Sequence, residues 1–237
     1  MLMANQSTSR KFDYCDLGFI DYKEAWDLQK EIFNKRLHNE ADDTLFLLEH
    51  PHTYTLGKVT GKENLISSEE QLKELGISVY DIDRGGDITY HGPGQIVGYP
   101  IIKLSGWKED THEYLRGLEE IIMNVCIDYS LKPERNNKYT GVWIGNKKIA
   151  AIGIKVSRWI TMHGFAFNVN TDLNYFGGII PCGIRDKEVT SLKKELGNEL
   201  NINEVKLKLV NEFEKFFGYS SYIIKEKNNY LMVVSKT

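Results

Sequence analysis

Three stretches of this chain hold residue types that can do chemistry. The first is RGGDITYHGPGQ, Arg84 to Gln95, which packs four glycines, a proline, an arginine and a histidine into twelve residues. Glycines let a ligand approach the backbone closely, and Arg84, Tyr90 and His91 would supply polar handles. A plain tight turn is the competing reading. Phosphate is a poor fit. The stretch is neither G-x-G-x-x-G opening a helix nor G-x-x-x-x-G-K-[ST], and the IVGYPII that follows reads as a strand, so no helix N-terminus waits for an anion.

The second stretch is IIPCGI, with Cys182 between Pro181 and Gly183. A free cysteine is most often a small buried hydrophobe. A proline before it and a glycine after it, however, make a special turn that can present a sulfur beside free backbone N–H groups, as an oxyanion site needs. The third is GNKKIAAIGIKV, where a lysine doublet enters an Ala/Gly-rich strand. Alternation puts Lys148, Ala150 and Ile152 on one side and Lys147 and Lys155 on the other. Ordinary surface lysines are the commoner case. The functional reading is a lysine beside small residues that leave room for a ligand, and an ammonium near a cysteine favours the nucleophilic thiolate.

The remaining candidates are weaker. Cys126 falls four residues after Ile122 on an apolar helical side and reads as core, and Cys15 has no motif around it. His50 and His52 could share a strand face, but no third ligand stands at a recognised spacing, so no metal is expected. His163 reads as a core or supporting residue.

These segments need elements to hold them. YKEAWDLQKEIFNKRL has a helical period, and DTLFLLEH is strand-like. Ser67 with Glu70 has the pattern of a capping box for a short helix that Gly76 stops. ISVYDID reads as a strand leading into the glycine loop, and IVGYPIIKL as another leading out of it. Asp110 and Glu113 cap a longer helix with Leu115, Leu118, Ile122 and Val125 on one face. GVWIG, KKIAAIGIKV and HGFAFNVN are strands close enough for hairpins, and Asn203 caps a last helix. Strand clusters without βαβ alternation predict an α+β fold with a mixed or largely antiparallel sheet, not a Rossmann fold.

Bulk properties exclude several classes. The chain has 237 residues, 41% of them apolar, with a formal net charge of −3. It reads as one catalytic domain over 1–237, with 1–11 a flexible tail. It has no run long enough for a membrane span, no secretory signal and no basic excess for nucleic acid. The three cysteines are dispersed, which fits a reducing, cytoplasmic setting. Lys132, Arg135, Lys138, Lys147 and Arg158 cluster in sequence and could form a basic rim.

RGGDITYHGPGQ, KIAAIGIKVSRWITMHGFAFN and IIPCGI, in that order, with EHPHTYTLG and GVWIG, closely resemble the lipoyl(octanoyl) transferases. The resemblance runs from about Leu45 to Leu192. Asp87 stands where glutamine is common in the family.

It implies the fold of the biotin/lipoate protein ligase catalytic domain and an acyltransferase activity without cofactor. The octanoyl donor would be octanoyl-acyl carrier protein. The acceptors would be lysines on the lipoyl domains of 2-oxoacid dehydrogenase complexes and on glycine-cleavage H protein. By the same resemblance Cys182 matches the acyl-thioester nucleophile and Lys148 the lysine that activates it. The acyl-substrate segment would be Arg84, Gly85, Gly86, Asp87, Ile88, Thr89, Tyr90 and His91, joined by Ala151, Ile152 and Gly153 and by Gly164, Phe165 and Ala166. The rival readings are an ATP-dependent lipoate or biotin ligase on the same fold and a non-catalytic carrier-domain binding module.

Overall fold

The computed structural model describes residues 10–180 and 188–230. The chain runs β1 (Lys11–Phe19), α1 (Tyr22–Leu37), β2 (Asp43–Glu49), β3 (Thr53–Leu56), α2 (Glu69–Glu74), β4 (Ser78–Asp81), β5 (Thr89–His91) and β6 (Gln95–Ile101). It continues with α3 (Thr111–Asp128), β7 (Pro133–Arg135), β8 (Val142–Ile144), β9 (Lys147–Ser157) and β10 (Ile160–Asn168), and closes with β11 (Glu188–Val189), α4 (Leu192–Leu196), α5 (Ile202–Phe217) and β12 (Ser221–Ile224).

Among the described residues nine strands form one mixed sheet, ordered β12-β1-β2-β6-β10-β9-β8-β7, with β11 beside β9. β1 runs parallel to β2 and β12, and β11 parallel to β9, whereas the pairs β2–β6, β6–β10, β10–β9, β9–β8 and β8–β7 are antiparallel. The α+β, mixed-sheet expectation holds. A smaller sheet, β4-β3-β5, stands apart from the large one.

Each face of the large sheet has its own core. On one face α3 and α5 bury Leu118, Ile122, Leu209 and Phe213 against Ile96, Phe165 and Phe167. Full burial of side chains this size stabilises by about 1.5–3 kcal/mol each. On the other, α1 buries Ala25, Leu28 and Ile32 against Val97, Tyr99 and Ala166. The helical period of α1 therefore marks a real packing face. Asp21 starts that helix by accepting from the Lys23 and Glu24 amides.

Local signals misplace some ends. The capping box is Ser68 with Gln71, one residue beyond the expected pair. Asn201 caps α5 and accepts from the Asn203 amide, so Asn203 is inside the helix rather than at its cap. Asp110 does cap α3. Arg10 and Lys11, assigned to a tail by sequence, are structured. Lys11 pairs with Ser221, and Arg10 bonds Asp43 at 3.2 Å. The β9–β10 connection is the expected hairpin, turned by Arg158 and Trp159 at φ 51° and 59°, the left-handed pair that a two-residue hairpin turn requires.

Candidate active site

β9 carries Lys148 into a bulge. Val142 of β8 pairs with Ala150, but the next residue, Trp143, pairs with Lys148, so Ile149 has no partner. A bulge breaks the two-residue alternation at that point. Ile149 and Ala150 both enter the core under α3, while Lys148 and Ala151 both line a cavity. The expected grouping of Lys148 with Ala150 is corrected by this bulge. Lys148 is 8% exposed, and its Nζ lies 4.9 Å from the Trp143 ring centroid. Lys147 turns away to pair with Glu195.

The cavity has a volume of ≈ 610 Å³. One wall is the glycine loop: Arg84, Gly85, Gly86, Asp87, Ile88, Thr89 and His91 all line it. Its floor is the strand pair β9–β10, through Ala151, Ile152 and Gly153 and through Gly164, Phe165 and Ala166. Tyr90 does not line it. β5 alternates, so Thr89 and His91 face the cavity and Tyr90 points away, bonding His52 at 2.8 Å and stacking on Tyr175.

The loop is tightly tied. Arg84 is buried, and its Nη2 donates to the Thr55 carbonyl and hydroxyl, each at 2.9 Å. The Gly85 amide donates to the Ile154 carbonyl at 2.9 Å, which fastens the loop to the free edge of β9. Gly57 must lack a side chain, because a Cβ there would sit 2.2 Å from the Gly86 carbonyl oxygen. Asp87 accepts from the Asn64 side chain and from the Ile88 amide, both at 2.7 Å.

His91 joins the loop to the lysine strand. Its Nδ1–H donates to Gln95 Oε1 at 3.0 Å, and Nε2 accepts from the Thr55 hydroxyl at 3.3 Å. Gln95 then donates to Asn168 at 2.9 Å, Asn168 to the Thr190 carbonyl at 2.9 Å, and the Thr190 amide to the Lys148 carbonyl at 2.9 Å. Gln95 and Asn168 lie inside quoted motifs, yet nothing in their spacing pairs them. Glu119, on α3, was also missed. It is fully buried and accepts from the Gly141 amide at 3.0 Å, holding the start of β8 beside Lys148. Its other oxygen accepts from Arg116 and Arg135.

Asp83 precedes the loop and bonds His163 Nε2 at 2.9 Å and the Lys155 ammonium. These partners hold its carboxyl well below the usual carboxylate range. His163 has φ 58° within β10, which re-aims its ring beneath the loop. Of the five cations expected at a basic rim, Lys138 alone lines the cavity. Arg135 is paired with Glu119 and Glu120, and Lys147 with Glu195. His50 and His52 bind different partners, His50 the Ile20 carbonyl and the Tyr99 hydroxyl. Among the described residues no three metal-ligating side chains converge. Cys182 lies outside the described residues. The described strand that follows it, β11, pairs Val189 with Lys148, and Val189 lines the cavity.

Burial makes these histidines acid-sensitive. It pulls His50 down to about 4, His91 well below its ordinary value, and His163 lower despite Asp83. An unfolded histidine titrates near pH ~6.5, so below that pH the unfolded chain takes up protons that the folded chain refuses. Stability that is fully present above pH ~6.5 is therefore lost as the pH falls toward 4, by up to about 1.4 kcal/mol per pH unit per histidine. The urea midpoint should drop steeply over that window, and a flat midpoint would contradict the assignment.

The fold of this chain is that of solved lipoate-ligase structures. The archaeal lipoylation system of Thermoplasma acidophilum, a bi-partite lipoate protein ligase and its E2 lipoyl domain, superposes with TM-score 0.74 at 15% identity, covering 96% of this chain and 93% of that one. The chain belongs to the lipoyl protein ligase A/B catalytic domain family, which it matches over residues 21–214.

Two relatives are more specific. The octanoyltransferase of Christiangramia forsetii is 48% identical over 226 residues, 88% of this chain and 97% of its own. That of Rubrobacter xylanophilus is 51% identical over 203 residues, 85% and 91% of the two chains. The resemblance stated from sequence holds, and the activity is acyl transfer by an enzyme. Among the described residues no helix is long and apolar enough to cross a membrane.

Proposed function

We propose that this enzyme takes an octanoyl group from octanoyl-acyl carrier protein, holds it as a thioester on Cys182, and passes it to a lipoyl-domain lysine in the cytoplasm. The acceptors are the lipoyl domains of 2-oxoacid dehydrogenases and glycine-cleavage H protein. The observation that carries this reading is a single cavity joining Lys148 to an alanine- and glycine-rich floor, a space suited to an alkyl chain. Burying about seven alkyl carbons at roughly 0.8 kcal/mol each supplies on the order of 5 kcal/mol.

The chemistry balances without nucleotide. The Cys182 thiolate attacks the donor thioester, the new S–C bond forms, and the carrier thiol leaves with the Lys148 proton. Neutral Lys148 then takes a proton from the incoming acceptor ammonium. The amine so formed attacks the acyl-enzyme, Cys182 leaves as thiolate, and the second amine proton passes to solvent. Thioester and amine become thiol and amide. Transfer from octanoyl-acyl carrier protein to a purified lipoyl domain should therefore run at full rate with ATP absent. Strict dependence on ATP with free octanoate or lipoate would instead establish the ligase reading on this same fold.

A further inference from the structure

We propose that Tyr22 and Tyr99, tied down through His50, form the stop that sets how long an acyl chain the cavity accepts; this rests on the octanoyl-transfer reading above. Strands β6, β10 and β9 lie side by side under the cavity. Ala166 pairs with Ala151 on one side and with Val97 on the other, a row of short side chains. Two residues further from Lys148, Gly164 pairs with Gly153, so that row has no side chains at all on β9 and β10. The glycine loop lies over that row, since a Cβ on Gly153 would come 2.8 Å from the Arg84 side chain and from the Gly85 carbonyl oxygen, so past Ala151 the cavity continues on the β6 side, lined by Val97 and Tyr99.

What closes it comes from β6 and α1. Tyr99 is two residues beyond Val97, and Tyr22 is the first residue of α1; both line the cavity. The Tyr99 hydroxyl lies 2.8 Å from His50 Nε2, and His50 Nδ1 lies 2.8 Å from the Ile20 carbonyl. A carbonyl only accepts, so Nδ1 carries the proton, Nε2 accepts, and Tyr99 donates to it. The Tyr22 ring packs against the same His50, with ring centroids 5.0 Å apart. The Tyr22 ring also stacks on Tyr80 at 5.2 Å and on His91 at 5.8 Å. Tyr99 cannot swing aside without leaving the buried His50 nitrogen unpaired, and Tyr22 cannot without giving up its stacks on Tyr80 and His91.

Length decides where the chain ends. Five residue steps lead from Lys148 to Gly153, one of them taken up by the β9 bulge, which leaves roughly 13 Å at the usual rise, part of which the lysine side chain spans. An extended eight-carbon chain covers about three strand residues, so its methyl reaches the glycine row and the two tyrosines. Two more methylenes would have to break the hydrogen-bonded stop.

The test is kcat/KM with hexanoyl-, octanoyl-, decanoyl- and dodecanoyl-carrier donors. Tyr22→Ala should raise the decanoyl-to-octanoyl ratio on the order of tenfold, the scale at which pocket fit discriminates methylenes. Tyr99→Phe, which keeps the ring and the fold but unties the network, should shift it the same way by a smaller factor. Ala166→Val should move the preference toward hexanoyl. Octanoyl transfer with the wild-type ratio in both Tyr22→Ala and Tyr99→Phe overturns the stop and leaves the proposed function standing. A wild type that transfers no acyl group to a lipoyl domain overturns the function itself.

Discussion

Cys182→Ala should lose the octanoyl adduct seen by intact-protein mass and lose transfer by at least about 10³-fold, as expected when a nucleophile that acts with a partner is removed. The structure says why no other thiol takes over. Cys15 and Cys126 are completely buried, and burial pushes each thiol up to about 12. Neither forms a thiolate near neutral pH. Cys15→Ala and Cys126→Ala should therefore acylate and turn over like wild type, apart from small packing effects. Full activity in Cys182→Ala, or an adduct that maps to another residue, would overturn the thioester route while leaving family membership intact.

Lys148→Met should slow both acyl-enzyme formation and amide formation, by about 10²–10⁴-fold each, the usual worth of a positioned acid–base group. It should also move the alkylation midpoint of Cys182 to higher pH, because the cation that favours thiolate is gone. Lys148→Arg should keep much of the thiolate effect and still fail in the second step, since a guanidinium does not deprotonate in proteins. The neighbouring lysines cannot substitute. Lys147 is committed to Glu195 and Lys155 to Asp83. For Lys155 this ion pair, rather than strand alternation, is the reason. Alkylation across pH with single-turnover transfer in both variants checks the assignment. A Lys148→Met enzyme with the wild-type profile and rate would refute it.

The sequence alone determined the helices α1 and α3, the strands β8, β9 and β10, and the place of the glycine loop as a cavity wall. These are local facts. A helix of 16 residues shows its apolar face in its own spacing, and a hairpin with a short turn can pair only with itself. The segments Arg84–His91, Ala151–Gly153 and Gly164–Ala166 were chosen by resemblance, and the structure brings all but Tyr90 to one cavity.

What the tertiary structure decided is register and distance in sequence. The β9 bulge that puts Lys148 beside Ala151 arises from how β8 pairs with it, and no alternation within β9 foretells it. The strands β1 and β12, from opposite ends of the chain, pair with each other, although neither carries a pattern that names its partner. Glu119 reads as one more polar residue of an amphipathic helix until Gly141 arrives to be held. The chain Gln95–Asn168–Thr190 joins three separate segments. Apart from the bulge, each of these contacts spans many residues, so each becomes favourable only after the sheet has met the entropy of closing the loops between them. That is a property of the assembled chain and has no local period to read.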